Sequence, residues 1–223
     1  MVTAIFPAAG QGKRMGAGKN KVLLDLDGEP ILTRTLRRFS SVAAVSELIV
    51  IVGAEEIPLV EEILSATPGL KPYKIAAGGS ERQYSIANGL KLLAEDAEIV
   101  LVHDAARPLI ATQTIERVIA ATRKNGAAIA AVREKNTVKT VENGFVTGTV
   151  PRANLWEVQT PQGFRRELLL KAYAKAEADN FLGTDDASLV ERLGAPIAVV
   201  ESDYKNIKLT TAEDLVLARA FLA

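Results

Sequence analysis

The stretch FPAAGQGKRMGAGKNKVLL (residues 6–24) continues the apolar run VTAIF (residues 2–6) and contains four glycines, one arginine and three lysines. Glycines let a backbone approach a ligand closely and direct several N–H groups toward it. In open α/β sheets, ligands bind at the carboxyl ends of the strands. We therefore predict that residues 2–6 form a strand of such a sheet and that a binding loop follows it.

Strand-like runs recur along the chain, and helix-like stretches separate them. The strand-like runs are residues 2–6, 47–53, 73–77, 98–104, 126–132 and 196–202. The helix-like stretches are residues 29–39, 80–96, 112–126, 165–179, a segment that begins near Thr184, and residues 211–222. Several runs are almost continuously apolar, as in strands that are covered on both faces. Because this alternation implies parallel strands with right-handed crossovers, we expect an α/β fold, a Rossmann-like three-layer sandwich with a mostly parallel central sheet.

Residues 133–155 break this alternation. The segment KNTVKTVENGFVTGTVPRANLW (residues 135–156) alternates polar and apolar residues around Asn143-Gly144. Asn-Gly between such runs is the strongest short-range signal for a β-hairpin. A lone hairpin is marginally stable in water, so we expect it to pack against another surface, such as a partner subunit. We predict a single domain over residues 1–223, with residues 133–155 as a protruding hairpin arm that serves dimerisation.

The composition limits the classes of partner. The 223 residues include 27 Lys and Arg against 27 Asp and Glu, a balance that disfavours binding to nucleic acid or to an anionic membrane. The absence of cysteine excludes disulfides, thiolate catalysis and zinc–thiolate sites, and it fits a reducing compartment. No apolar run approaches the ~20 residues of a membrane-spanning helix. We expect a cytoplasmic protein that binds neither nucleic acid nor membrane.

Two familiar phosphate-binding loops do not match residues 6–24. The dinucleotide fingerprint GxGxxG would need glycine in place of Met15, and the Walker loop would need glycine in place of Lys13 and Ser or Thr in place of Asn20. What remains is a strand, the pattern AAGxGxRM, and a lysine seven residues after the arginine. Small side chains with the cations Arg14 and Lys21 suit a highly anionic ligand such as a nucleoside triphosphate. The alternative is a flexible basic loop without a ligand.

The motif PAAGQGKRM with its downstream lysine resembles the signature loop of sugar- and polyol-phosphate nucleotidyltransferases. Five further motifs occur in the order seen in 2-C-methyl-D-erythritol 4-phosphate cytidylyltransferases: GGSERQYSIANGL (78–90), VLVHDAARP (100–108), TVPRANLWEVQTPQGF (149–164), TDDASLVE (184–191) and NIKLTTAEDL (206–215). The resemblance covers essentially the whole chain, and HDAARP, GGSER and NIKLT are its most specific parts. The ribitol-5-phosphate cytidylyltransferases share much of this set.

This resemblance implies four catalytic cations. Arg14 and Lys21 would neutralise charge at the α-phosphate in the transition state, and Arg152 and Lys208 would hold the phosphate of the acceptor. The family usually has proline before the second cation, where this chain has Asn20. Lys19 is therefore an alternative to Lys21.

The resemblance also implies the binding residues. The cytidine nucleotide would be bound by Ala8, Ala9, Gly10, Gly12, Gly79, Ser80 and Ser85. The acceptor would be held by Asp104, Arg107, Thr137 and Thr160, with Asp104 near the ribose, the metal or the acceptor. Asparagine replaces the usual aspartate before Thr137. The arm would reach across a homodimer, so that Thr137 and Arg152 would serve the neighbouring active site.

The implied reaction transfers CMP from CTP to 2-C-methyl-D-erythritol 4-phosphate in non-mevalonate isoprenoid synthesis, with 4-diphosphocytidyl-2-C-methyl-D-erythritol and pyrophosphate as products. The acceptor phosphate is already an anionic nucleophile, so the reaction needs no general base. The protein can lower the barrier by aligning the two anions and neutralising their charge. Mg²⁺ would bind mainly through the CTP phosphates and would need few protein ligands, so we expect no dedicated metal-ligating residues.

Two other functions remain open on the sequence alone. One is the same transfer to D-ribitol 5-phosphate, and the other is a catalytically silent nucleotide-binding module. The joint presence of Arg14, Lys21, Arg152 and Lys208 favours an enzyme, because a silent module would need only the nucleotide half of the site. A Rossmann dehydrogenase is a weaker alternative because the dinucleotide glycine pattern fails.

Three polar residues favour structural roles. His103, the sole histidine, is expected to be a hydrogen-bonded structural residue at the end of a strand. Asp185 and Asp186 could pair on a metal, but after Thr184 they are expected to cap the following helix.

Overall fold

The computed structural model describes residues 1–10 and 20–222, which contain nine strands and seven α-helices. The strands are β1 (Val2–Pro7), β2 (Glu47–Val52), β3 (Tyr73–Ala77), β4 (Ile99–Val102), β5 (Ala127–Arg133), β6 (Val138–Glu142), β7 (Phe145–Val150), β8 (Trp156–Arg165) and β9 (Ala198–Glu201). The helices are α1 (Ile31–Ser40), α2 (Ile57–Ser65), α3 (Arg82–Leu90), α4 (Thr112–Asn125), α5 (Arg166–Ala178), α6 (Asp186–Glu191) and α7 (Ala212–Leu222). None of these helices is long and apolar enough to cross a membrane.

Seven strands form one sheet, in the order β3-β2-β1-β4-β8-β5-β9. Strand β1 pairs in parallel with β2 and β4, while β3 and β9 extend the sheet in parallel with β2 and β5. Only β8 among these seven strands is antiparallel to its neighbours, β4 and β5. The prediction of a mostly parallel central sheet is therefore confirmed.

Strand β8 lies inside the sheet, although the sequence pattern does not predict it. It contains Pro161, which cannot donate a ladder hydrogen bond, and Gly163, which weakens a strand interior. The pairing with β5 is irregular at this point, because Ile129 lies opposite Gln162 while Ala131 lies opposite Val158. The irregularity accommodates the proline within a central strand.

Helices cover both faces of the sheet. Side chains of β1 alternate between two apolar layers: Phe6 belongs to the layer with residues of α1, α2 and α4, and Ile5 to the layer with residues of α3, α5 and α6. Burial on both faces explains why the predicted strands are almost continuously apolar. The predicted three-layer sandwich is confirmed, but the helix predicted over residues 80–96 is shorter, because it begins at Arg82 and ends at Leu90.

Strands β6 and β7 form a separate antiparallel sheet, the predicted arm. Asn143 and Gly144 both have positive φ values, 52° and 84°, as a type I′ hairpin turn requires. The arm exposes large apolar side chains, with Phe145 77% exposed and Val146 63% exposed. The hairpin is thus confirmed, whereas its role in dimerisation and the extent of one domain over residues 1–223 stay predictions.

Candidate active site

Two adjoining cavities open at the carboxyl edge of the parallel strands. The first cavity, about 220 Å³, lies where residues 8–10 leave β1 and Asp104 follows β4. The second cavity, about 450 Å³, lies beside β8 and the start of α6. Arg82, Asp104 and Lys208 line both cavities and therefore mark the boundary between them. This edge is where α/β sheets bind ligands.

Most of the predicted nucleotide-binding residues line the first cavity. Those that do so are Ala8, Ala9, Gly10, Gly79, Ser80 and Ser85, together with Lys21, Asp104 and Lys208. Gly12, Arg14 and the alternative cation Lys19 lie outside the described residues. Lys21 thus has a place in the cleft, and the choice between it and Lys19 stays a prediction.

Two loops pack tightly at the wall of the first cavity. A Cβ added to Gly78 would lie 2.4 Å from the Cβ of Ala9, so only glycine fits at this contact. The backbone N–H of Gly79 donates to Ser85 Oγ at 3.0 Å, and the Ser85 hydroxyl donates to the carbonyl of Glu81 at 3.0 Å. The Ser85 hydroxyl therefore orders residues 79–81, which lead into α3.

Asn20 holds the segment that carries Lys21. The Asn20 side chain is buried, and its Nδ2 donates to the Ala8 carbonyl at 2.6 Å and to Glu56 Oε2 at 2.9 Å. Its Oδ1 accepts the N–H of Val22 at 3.3 Å. Because Ala8 lines the first cavity, Asn20 ties the backbone of Lys21 to the wall of that cavity. The sequence singles out Asn20 only as a departure from the family pattern.

Asp104 lies among three cations. Its carboxylate is 3.1 Å from Lys208 Nζ, 3.3 Å from Arg107 Nε and 3.8 Å from Arg82 Nε. Burial alone would raise the pKa of Asp104, but Lys208, Arg82 and Arg107 outweigh it and hold that pKa well below its usual range. The group is therefore ionised at neutral pH. Because Arg82 also pairs with Asp186, the three cations and two carboxylates leave an excess of one positive charge.

A chain of hydrogen bonds through Thr160 and His103 holds the backbone of Asp104. The Asp104 N–H donates to Thr160 Oγ1 at 3.0 Å, and Thr160 Oγ1 lies 3.0 Å from His103 Nδ1. His103 Nε2 faces the Arg107 carbonyl, which can only accept, so the proton of the ring is on Nε2 and the Thr160 hydroxyl donates to Nδ1. Burial lowers the pKa of His103 to about 3, so the ring is neutral. His103 is thus a buried structural residue, as expected.

The predicted acceptor residues fall into two groups. Arg107 and Thr160 line the second cavity, although the Thr160 hydroxyl is already engaged as described. Thr137 and Arg152 belong to the arm, where both are exposed, and neither lines either cavity. The Arg152 guanidinium donates instead to the Lys135 carbonyl. One chain therefore brings Lys21, Asp104, Arg107, Thr160 and Lys208 together, and it does not bring Thr137 and Arg152 to them.

Arg82 is a cleft residue that the sequence does not single out. Its guanidinium reaches Asp186 on α6, which is fully buried. Asp185 caps α6, as predicted, by accepting the Ser188 N–H at 2.9 Å, whereas Asp186 does not cap the helix. Two adjacent aspartates thus have different roles.

Within residues 1–10 and 20–222, no three His, Asp or Glu side chains cluster as metal ligands.

Comparisons with known proteins show the family of the chain. The family model for IspD, 2-C-methyl-D-erythritol 4-phosphate cytidylyltransferase, matches residues 2–223. The chain is 51% identical over 222 residues to the protein of that name from Bacillus cereus, covering 100% of this chain and 98% of the relative. It is 48% identical over 224 residues to that from Geotalea uraniireducens, covering 99% and 96%. The crystal structure of the 4-diphosphocytidyl-2C-methyl-D-erythritol synthase from Anaerococcus prevotii superposes with a TM-score of 0.88 at 34% identity, covering 100% of this chain and 96% of that one.

Proposed function

Because this chain belongs to the 2-C-methyl-D-erythritol 4-phosphate cytidylyltransferase family and is a CTP-dependent cytidylyltransferase of isoprenoid biosynthesis, we propose that its two cavities divide the substrates. CTP occupies the first cavity, and the acceptor occupies the second. The observation that carries this assignment is the shared boundary, where Arg82, Asp104 and Lys208 line both cavities. The α-phosphate of CTP and the phosphate of the acceptor would meet over this boundary.

The cationic boundary suits the chemistry of the transfer. An oxygen of the acceptor phosphate forms a bond to the α-phosphorus, and the bond from that phosphorus to the bridging oxygen breaks, so that pyrophosphate leaves with the electron pair. Both reactants are anions, and the barrier includes their mutual repulsion. Lys21 lines the first cavity, Arg107 the second and Lys208 both, and the Asp104 carboxylate holds Arg107 and Lys208 in place before the substrates arrive. Preorganised charge of this kind is worth about 10²–10³-fold in kcat per group.

Magnesium fits the residues that line the first cavity. Mg²⁺ in nucleotide sites usually keeps several waters and takes one or two carboxylates besides the phosphates. Asp104 offers one ionised carboxylate there: Oδ2 faces Lys208 and Arg107, while Oδ1 faces Arg82 at 3.8 Å. We propose that Asp104 is the carboxylate partner of a Mg²⁺ held mainly by the triphosphate, where the ion would offset phosphate charge.

The arm would complete the site from a second copy of the chain. Thr137 and Arg152 lie outside the cavities of their own chain, and the arm exposes Phe145 and Val146. A homodimer through the arms would cover these apolar side chains and would supply the partner's cation to the acceptor phosphate. Sedimentation equilibrium should therefore give twice the mass of the chain, and a monomeric active enzyme would contradict this assembly.

Pyrophosphate release tests the proposed function. The enzyme is incubated with Mg²⁺ and CTP, in parallel with 2-C-methyl-D-erythritol 4-phosphate, D-ribitol 5-phosphate or no acceptor. We expect release only with the methylerythritol phosphate. Release with ribitol phosphate instead would reassign the second cavity, and CTP binding without any release would indicate a silent binding module.

The compartment is proposed on composition. We place the enzyme in the cytoplasm, since a chain without cysteine suits a reducing environment. Activity that stays with the membrane fraction after cell lysis would contradict this location.

A further inference from the structure

Arg82 lies close to two carboxylates that come from different parts of the fold. Its Nη2 donates to Asp186 Oδ2 at 2.8 Å, and its Nε lies 3.8 Å from Asp104 Oδ1. A guanidinium is a rigid planar fork, so a partner that fixes one end also orients the other. Burial lowers the pKa of Arg82, but Asp186 and Asp104 outweigh it and raise that pKa, so the side chain is always charged.

Asp186 is held in turn by Tyr173. Asp186 is fully buried, and its Oδ1 accepts the Tyr173 hydroxyl at 2.6 Å. A buried carboxylate is costly unless donors satisfy it, and here each oxygen has one donor. Tyr173 belongs to α5 and Asp186 to α6, so two helices hold the Arg82 guanidinium through its Nη2.

The start of α3 is anchored to the same helices by the next residue. Gln83 Nε2 donates to the Phe181 carbonyl at 3.0 Å, and Gln83 Oε1 accepts the Gly183 N–H at 2.9 Å. Both partners lie in the connection between α5 and α6. The start of α3 and the guanidinium of Arg82 are therefore both tied to α6 and to the connection that precedes it.

A buried ion pair of this kind adds little net stability compared with well-packed apolar residues. Arg82, however, also lines both cavities. We propose that Asp186 and Tyr173 are positioning residues that hold the Arg82 guanidinium at the boundary of the two cavities, where its charge also faces Asp104 at 3.8 Å. This inference rests on the substrate assignment proposed above.

A double-mutant cycle on kcat/KM tests the inference. Asp186→Asn and Arg82→Ala are each expected to lower kcat/KM for both substrates about 10–100-fold, which corresponds to the usual coupling between contacting residues. Because Asp186 acts only through Arg82, the double variant should be no slower than Arg82→Ala. Tyr173→Phe keeps the aromatic ring and removes only the hydroxyl. It should lower kcat/KM about 3–10-fold in the wild-type enzyme and should not lower it further in the Arg82→Ala enzyme.

Asp179→Asn is the matched control. Asp179 ends α5 and accepts from Arg192 after α6 at 2.5 Å, so it is also a carboxylate that links these two helices. It lies on the surface and does not reach the cleft. We expect wild-type kcat/KM for this variant, which separates a general weakening of the α5–α6 contact from the loss of Arg82 positioning.

Three results would overturn the inference. The first is that Asp186→Asn lowers kcat/KM by the same factor in the Arg82→Ala enzyme as it does in the wild-type enzyme. The second is wild-type kcat/KM in both Asp186→Asn and Tyr173→Phe. The third is an equal loss in Asp179→Asn. If circular dichroism shows that Asp186→Asn does not fold, the double-mutant cycle of Tyr173→Phe with Arg82→Ala tests the inference instead. An inactive wild-type enzyme would instead refute the proposed function.

Discussion

Asn20→Asp tests how Lys21 is held in the cleft. In the wild-type chain the Asn20 amide donates to the Ala8 carbonyl at 2.6 Å and to Glu56 Oε2 at 2.9 Å. Aspartate has nearly the same shape, but when ionised it can only accept hydrogen bonds. The oxygen that replaces Nδ2 would lie against both the Ala8 carbonyl and the Glu56 carboxylate. We therefore expect Asn20→Asp to be more damaging than Asn20→Ala, although aspartate is the closer mimic of asparagine.

The magnitude follows from the two donated hydrogen bonds. A neutral hydrogen bond contributes about 1 kcal/mol net and one to a charged acceptor about 1.5–3 kcal/mol, so Asn20→Ala should lower the free energy of unfolding by about 2–4 kcal/mol. In Asn20→Asp the new carboxylate would start about 3 Å from that of Glu56, which corresponds to a repulsion of up to about 5 kcal/mol at an effective dielectric constant of 20. Glu56 is only half-buried, so movement and solvent would reduce this figure.

Urea unfolding and steady-state kinetics on the same preparations provide the assay. The unfolding midpoint should fall in the order wild type, Asn20→Ala, Asn20→Asp. A shift of Lys21 by about 1 Å can cost about 10²-fold, so kcat should fall in the same order. Glu56→Gln is the control, because its amide oxygen can still accept from Asn20 and from the Gly53 N–H, which lies 3.1 Å from Glu56 Oε2 in the wild type. An Asn20→Asp enzyme as stable and fast as Asn20→Ala would refute the reasoning.

Three further predictions concern the arm, the buried histidine and the tight loop contact. Arg152→Ala and Lys208→Ala should each be nearly inactive. When the two variants are mixed and exchange subunits, activity should return, because one site of each heterodimer then has both Arg152 and Lys208. No recovery after subunit exchange would exclude a shared site. Burial lowers the pKa of His103 to about 3 in the folded chain, against about 6.5 in the unfolded chain. Below about pH 6.5 the unfolded chain therefore takes up a proton that the folded chain does not. The free energy of unfolding should fall by about 1.4 kcal/mol per pH unit until about pH 3. His103→Gln should flatten this slope in urea titrations at pH 4–7, and an unchanged slope would exclude His103 as its cause. Gly78→Ala should weaken CTP binding about tenfold or more in calorimetry, because the new methyl group would lie 2.4 Å from Ala9 Cβ and force the loops apart, and unchanged binding would show that the loops yield.

The fold could be predicted as far as local pattern determines it. Doubly buried parallel strands are recognisable as apolar runs, and Asn143-Gly144 marks the arm directly. Strand β8 could not be recognised in this way, because Pro161 and its polar neighbours resemble a loop until β4 and β5 are known to flank it. The burial of such a strand is decided by the assembled sheet rather than by its own residues.

The candidate site shows the same division. Loop residues such as Ala8 and Asp104 could be identified because they follow strands at the ligand-binding edge. The partners that hold them could not, because Arg82 and Asp186 are 104 residues apart and Asn20 and Glu56 are 36 apart. Such pairs depend on how the helices pack, which local spacing does not determine.

A carboxylate in the middle of an anion-binding site repels anionic substrates, but the contacts of Asp104 indicate a purpose for it. Three cations converge on Asp104, and each comes from a different part of the fold: Arg82 from α3, Arg107 from the turn after β4, and Lys208 from the segment before α7. Asp104 is the counter-ion that Arg107 and Lys208 share, while Arg82 pairs with Asp186 as well. Asp104 and Asp186 together neutralise two of the three positive charges, and the one that remains is held at the boundary where we propose that both phosphates bind. Preorganisation of that kind lowers a barrier more than a larger but mobile charge would.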